Sequence, residues 1–198
     1  MTRLSFGARE LRDLLVAWLA LGVAFAFFYE RITITTLGPV LTSGAFLAAL
    51  AVSLLTAGVG FLLHELAHKV VAVRYGQVAA FRADYGLLAL AVLGGLAGFL
   101  FAAPGAVVHR GRLTERQSGL IALAGPVTNL ALAALFAPFA FLGSALAWRG
   151  VTINLLLAGF NMLPVGPLDG NTVRSWSLVV YVAVAVPSIA LAAYALYV

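Results

Sequence analysis

Apolar residues in this chain neither alternate nor favour one helical face; they run on unbroken between short charged punctuations. Uncharged runs cover residues 14–29, bracketed by Arg12/Asp13 and Glu30/Arg31, then 32–63 with a membrane-length portion from Phe46, 87–108, 117–141, 151–168, and 175 to the C-terminus. About 20 apolar residues cross a hydrocarbon core roughly 30 Å thick, so each run is a candidate span. The pattern predicts an all-α polytopic membrane protein with about five transmembrane helices. The Gly-rich 87–108 run is set apart below as a re-entrant or hairpin segment. The first run has a basic start and a small-x-small Ala24-Phe25-Ala26, as a signal peptide would. In a chain that crosses repeatedly it is read as a retained first span.

Composition agrees with the pattern. With 63% hydrophobic residues, 10% charged residues and a mean hydropathy of +1.06, 198 residues cannot bury their apolar side chains in one soluble core. The net charge of +5 comes from twelve Lys and Arg against seven Asp and Glu. In a membrane chain this charge orients loops; no base-reading or stacking module accompanies it, so nucleic acid is not an expected partner. Without cysteine there is no disulfide and no thiolate, and any metal must be held by His and carboxylate ligands.

No connection between the runs reads as a soluble domain, a repeat or a low-complexity linker, so 1–198 is taken as one membrane-embedded domain. Residues 78–85, after Tyr75-Gly76, and 105–109 are mixed enough to form short strands. Such β elements beside a catalytic site would offer edges to which an extended peptide could add.

Chemistry concentrates in His64-Glu65-Leu66-Ala67-His68, at the end of the 32–63 run. On a helix, residues four apart share a face, so both imidazoles can bind one Zn²⁺ while Glu65 serves as base to a water. A second feature is Asn161-Met-Leu-Pro164-Val-Gly-Pro167-Leu-Asp169-Gly170. Pro164 and Pro167 break regular helix, and an Asp near the membrane is expensive unless it faces a wet or metal-bearing interior. The plain alternative is a Pro/Gly turn whose Asp169 caps the next segment. Two imidazoles and one carboxylate make a three-ligand zinc site with an open fourth position. His64, His68 and Asp169 are therefore the candidate metal ligands, Glu65 the general base, and Asn161 a candidate donor to a developing oxyanion.

HELAH on a membrane helix, Ala124-Gly125-Pro126-Val127-Thr128-Asn129 on a later one, and Asn161...Pro164...Leu168-Asp169-Gly170 near the end occur in the order found in the site-2 protease family of intramembrane zinc metalloproteases, which the chain resembles over roughly residues 46–172. The resemblance implies one zinc per chain on His64, His68 and Asp169, catalysis by Glu65, and active-site roles for Asn129 and Asn161. It further implies cleavage of membrane-anchored protein substrates in or near their transmembrane segments. No segment reads as the PDZ or nucleotide-sensing domain of larger relatives, so their regulatory inputs are not carried over.

Charge placement gives a topology. With Arg3, Arg9 and Arg12 on the cytoplasmic side, the second span returns and leaves the histidine motif, Lys69, Arg74 and Arg82 inside the cell membrane. Asp169 reaches the same side only if 87–108 does not make a single full crossing. That segment is therefore expected to re-enter, form a hairpin or lie within the bundle, and its glycines with Pro104 suit a turn. Arg110, Arg112 and Arg116 then also fall inside.

Other residues take simpler readings: His109 as a loop histidine, Trp18, Trp148 and Trp176 as interfacial anchors, Arg174 as an anchor, and Glu115 and Asp84 as solvated acids. Asn129 can alternatively bond between helices, with Gly125 and Pro126 allowing close packing and a kink. The rival from another class is a divalent-metal transporter, but no second relay of ionisable residues lies along the other spans. An inactive scaffold is the third reading, against which all catalytic positions are filled.

Overall fold

The computed structural model describes residues 3–100 and 105–196. It is mostly helical: α1 (Ala8–Tyr29), α2 (Leu37–Val40), α3 (Gly44–Ser53), a π-helical turn (Leu54–Gly58), α4 (Val59–Arg74), α5 (Tyr85–Ala97), α6 (Glu115–Phe141), α7 (Ala145–Asn161), α8 (Asp169–Trp176) and α9 (Leu178–Ala195). Two strands, β1 (Val78–Ala83) and β2 (Gly105–Arg110), pair into one small sheet, as the mixed stretches predicted. Among the described residues four helices are long and apolar enough to cross a membrane: Ala8–Tyr29, Gly44–Arg74, Glu115–Phe141 and Leu178–Ala195.

The chain forms two compact units. One contains residues 7–59, 81–100 and 105–106. Here α1 packs on α3, the π turn and α5, around Ala26, Phe27, Ile32 and Phe46. Helix α1 begins six residues before its apolar run because Glu10 and Asp13 are buried, not solvated. Glu10 Oε1 accepts the Phe81 N–H at 3.0 Å, and Asp13 accepts from the Tyr85 hydroxyl at 2.9 Å and pairs with Arg12 and Arg82. Asp13 also accepts the backbone N–H of Ala83. Residues 81 and 83 point the same way along a strand, so these carboxylates occupy one edge of β1. The Trp18 indole N–H donates to the Leu54 carbonyl at 3.1 Å, in the π turn. Irregular turns of this kind occur where side chains enter the helical ladder. Asp84 is exposed, as expected of a solvated acid, and it also caps α5 by accepting the Leu87 N–H at 3.0 Å.

Helix α5 is only 13 residues long and ends at Gly98 in a left-handed conformation, with the Phe99 N–H closing back on Gly94. That closure is a glycine-terminated helix stop. The chain leaves the sheet at the end of β1 and is back beside it at Gly105, whose missing side chain admits the Arg82 carbonyl. Pro104, expected to help turn the 87–108 segment, lies outside the described residues.

The other unit contains residues 3–6, 60–80 and 107–196. Helix α6 packs on α7 and α8, and α9 on α7 and α8, with Met162, Val173, Ala122 and Ala185 at the centre. The Thr114/Gln117 capping box starts α6 two residues before the predicted run. The fifth apolar run is shifted: α7 starts at Ala145 and stops at Asn161, and 162–168 is a non-helical bend carrying Pro164, Gly166 and Pro167. Its 17 residues extend about 26 Å at 1.5 Å each, short of a full hydrocarbon core. The last run is also divided, at Ser177, whose extended backbone separates α8 from α9 and whose side chain caps α9. Lys69 is buried rather than a free loop charge, donating to the Ser5 carbonyl and lying over the Phe6 ring at 3.8 Å.

Candidate metal centre

The site is built on α4, α6, α7 and α8, all within the second unit. His64 and His68, one turn apart on α4, turn their rings to the same side, with centroids 4.6 Å apart and planes crossed at 80°. Their Nε2 atoms lie 2.9 Å from each other, and Asp169 Oδ2 lies 3.3 Å from both. Asp169 is the first residue of α8, not its cap; Leu168 holds the cap position with extended backbone. The bend after Asn161 therefore delivers a carboxylate to the two imidazoles.

What lies behind the rings fixes what they present. His64 Nδ1 is 2.6 Å from Asn129 Oδ1 and His68 Nδ1 is 2.7 Å from the Ile121 carbonyl. Both partners accept, so each Nδ1 carries the proton and each Nε2 turns a lone pair inward. Two lone pairs and a carboxylate oxygen then converge with no proton between them. Asp169 Oδ2 has no hydrogen-bond partner although it is buried. Such a cluster is repulsive until a cation enters it.

Zinc fits the donor set. A tetrahedral ion about 2.0–2.1 Å from each ligand sets those ligands roughly 3.3 Å apart, against the 2.9, 3.3 and 3.3 Å found here. Gly125 keeps the space open, since a Cβ there would lie 2.4 Å from both Nε2 atoms. The glycine thus leaves space at the candidate metal position, beyond the helix packing expected from sequence. Glu65 is buried next to His64, and its Oε2 has no hydrogen-bond partner.

The two asparagines fall differently. Asn129 is fully buried against His64. Asn161, half-buried at the end of α7, donates to its own helix at the Leu157 carbonyl, 2.9 Å away, and makes no hydrogen bond to the triad. His109 lies on β2, away from the candidate ligand group of His64, His68 and Asp169. Sequence reading missed Asn154, which bonds Asn129 from α7 at 2.9 Å. A polar amide inside an apolar run was the available signal.

Helices of membrane-crossing length thus accompany a His₂Asp group that could hold a metal, its histidines on the HExxH helix α4 and its aspartate on α8. Over an alignment of 205 residues covering all of both chains, the sequence is 39% identical to a Methanocaldococcus jannaschii protein named "Putative zinc metalloprotease MJ0611". It is 36% identical over 119 residues, 56% of this chain and 26% of the other, to Mycobacterium tuberculosis Rip3. Bacillus subtilis YwhC matches at 34% over 140 residues, 57% of this chain and 62% of its own; both bear the same zinc metalloprotease name. No family model matches the chain, and no solved structure matches it significantly. The chain belongs to the site-2 protease family. Its relatives' names support a metalloprotease role.

Proposed function

We propose that this protein is an intramembrane zinc endopeptidase that hydrolyses peptide bonds in or near the transmembrane segments of membrane-anchored proteins. The observation that carries the reading is the convergence of three proton-free donor atoms, at zinc-like spacing, beside a buried Glu65 with an unpartnered carboxylate oxygen. His64, His68 and Asp169 would hold one zinc, which supplies Lewis acidity to polarise a carbonyl and acidify water. Glu65 takes the proton from the attacking water and returns it to the leaving amine. Asn161 gives one amide hydrogen to Leu157 and keeps a second for the oxyanion of the substrate.

A helical substrate hides its carbonyls in its own hydrogen bonds and must unwind to be cut. An extended stretch would add to β2, because Glu10 and Asp13 already occupy an edge of β1. A hairpin over 87–108 would allow the cytoplasmic placement of the site that the arginines favour. Relatives named as zinc metalloproteases support the enzyme reading over a metal transporter.

The deciding experiment incubates detergent-purified protein, zinc and a membrane-anchored model substrate, with Glu65→Ala in parallel. Cleavage by the wild type, lost in a mutant that still binds zinc, is expected. No cleavage, together with zinc flux into proteoliposomes, would establish the transporter instead.

A further inference from the structure

The mechanism leaves several buried polar groups without a task, and one of them bonds directly to a partner of the metal-centre histidines. Asn154, in the middle of α7, is fully buried, and nothing in the proposed hydrolysis touches it. Its Nδ2 donates to the Gly150 carbonyl at 2.9 Å, one turn back on α7. Its Oδ1 accepts from Asn129 Nδ2 at 2.9 Å. Asn129 Nδ2 also donates to the Gly60 carbonyl at 3.2 Å, on the α4 turn preceding His64. Asn129 Oδ1 accepts from His64 Nδ1 at 2.6 Å.

This chain of bonds has only one polarity. A backbone carbonyl cannot donate, so Gly150 requires the Asn154 amide to present its nitrogen there and its oxygen to Asn129. The Asn129 amide must then place both hydrogens on Asn154 and Gly60, which turns its oxygen to His64. A flipped Asn129 would set oxygen against two acceptors at once. With an acceptor fixed at Nδ1, the His64 proton resides on Nδ1 and the Nε2 lone pair points toward Asp169 and His68. Gly60 makes the approach possible: a Cβ there would come within 2.8 Å of Asn154 Oδ1.

We infer that Asn154 is a positioning residue for the metal centre, acting through Asn129 to hold the His64 ring in orientation and with Nε2 bare. The inference rests on the metal-centre reading above. Asn154 touches neither metal nor substrate, so its effect must pass through Asn129. This separates it from an amide that merely ties α7 to α6.

The test measures zinc affinity of the purified full-length protein by competition with a chromophoric chelator, alongside thermal melting. Removing a partner of a metal-bound histidine commonly weakens affinity 10–100-fold. Asn129→Ala should fall in that range, and Asn154→Leu, one bond further out, should weaken zinc binding about 10-fold, at its lower limit. In the double variant, Asn154→Leu should add less than about 2-fold to Asn129→Ala, as two members of one relay do not contribute independently. Should Asn154→Leu fail to fold, Asn154→Ser keeps the bond to Gly150 through its hydroxyl and is too short for Asn129; it should show the same loss of affinity with a native melting profile. A folded Asn154 variant with wild-type affinity, or losses that multiply in the double variant, would overturn the inference. Wild-type protein that binds no zinc would instead overturn the metal centre on which it rests.

Discussion

Each compact unit buries polar groups, and each finishes them differently. In the unit holding α1, α3 and α5, Glu10 and Asp13 are closed off by a strand N–H, a tyrosine hydroxyl and arginines. In the unit holding α4 and α6 to α9, two imidazoles are carefully satisfied at Nδ1, yet Nε2, Nε2 and Asp169 Oδ2 face one another, and Glu65 Oε2 has no partner. A buried polar group costs about 1–3 kcal/mol when unsatisfied, so folding alone gives no reason to gather several unfinished ones. A gathered set of bare donor atoms is a place for a cation.

This contrast can be broken by experiment. The largest effect should come from Glu65→Gln, which keeps shape and removes the base. Turnover of a membrane-anchored substrate should drop roughly 10²–10⁴-fold at unchanged zinc content. Zinc lost along with activity would make Glu65 a ligand or a structural residue. Treating the wild type with a chelator should abolish cleavage, and added zinc should restore it.

Next comes Gly125→Ala. Alanine favours helix over glycine by about 1 kcal/mol, yet its methyl would lie 2.4 Å from both Nε2 atoms. Zinc measured by atomic absorption should fall from one per chain to near zero while the helical signal persists. Full zinc occupancy would show that Gly125 does not guard the metal position.

The first unit should respond in stability alone. Glu10→Ala leaves the Phe81 N–H without its carboxylate and should cost about 1–3 kcal/mol, whereas Glu10→Gln keeps an acceptor and should cost less. Both should retain wild-type zinc affinity; a change in affinity would mean that the two units are not separate in this respect. The smallest effect expected is Ser43→Ala, which removes the side-chain acceptor of the Phe46 N–H at the start of α3. About 1 kcal/mol should be lost in a denaturant melt.

Much of the site was legible because its ligands are local motifs. His64 and His68 share a helix face by spacing alone, and the Pro/Gly run after Asn161 announced the bend that carries Asp169. Four apolar runs became membrane-length helices, and both expected short strands formed. The 151–168 run misled because apolarity does not report where helix stops: α7 ends at Asn161, and the remaining apolar residues form the bend. Likewise nothing local signals the burial of Glu10, Asp13 and Lys69, since their partners at Phe81, Tyr85 and Ser5 are distant in sequence.

By itself the sequence determined the membrane class, the family and the three metal-ligand candidates, because hydropathy, ligand type and short motif spacing are properties of contiguous residues. Only the tertiary structure decided that Asp169 meets the histidines at zinc-like distance, that Gly125 leaves space beside both Nε2 atoms, and that Asn154 bonds Asn129, which in turn bonds His64. Those are relations between helices. Their directions depend on where each helix stops and how closely its backbone approaches the next, which no single segment encodes.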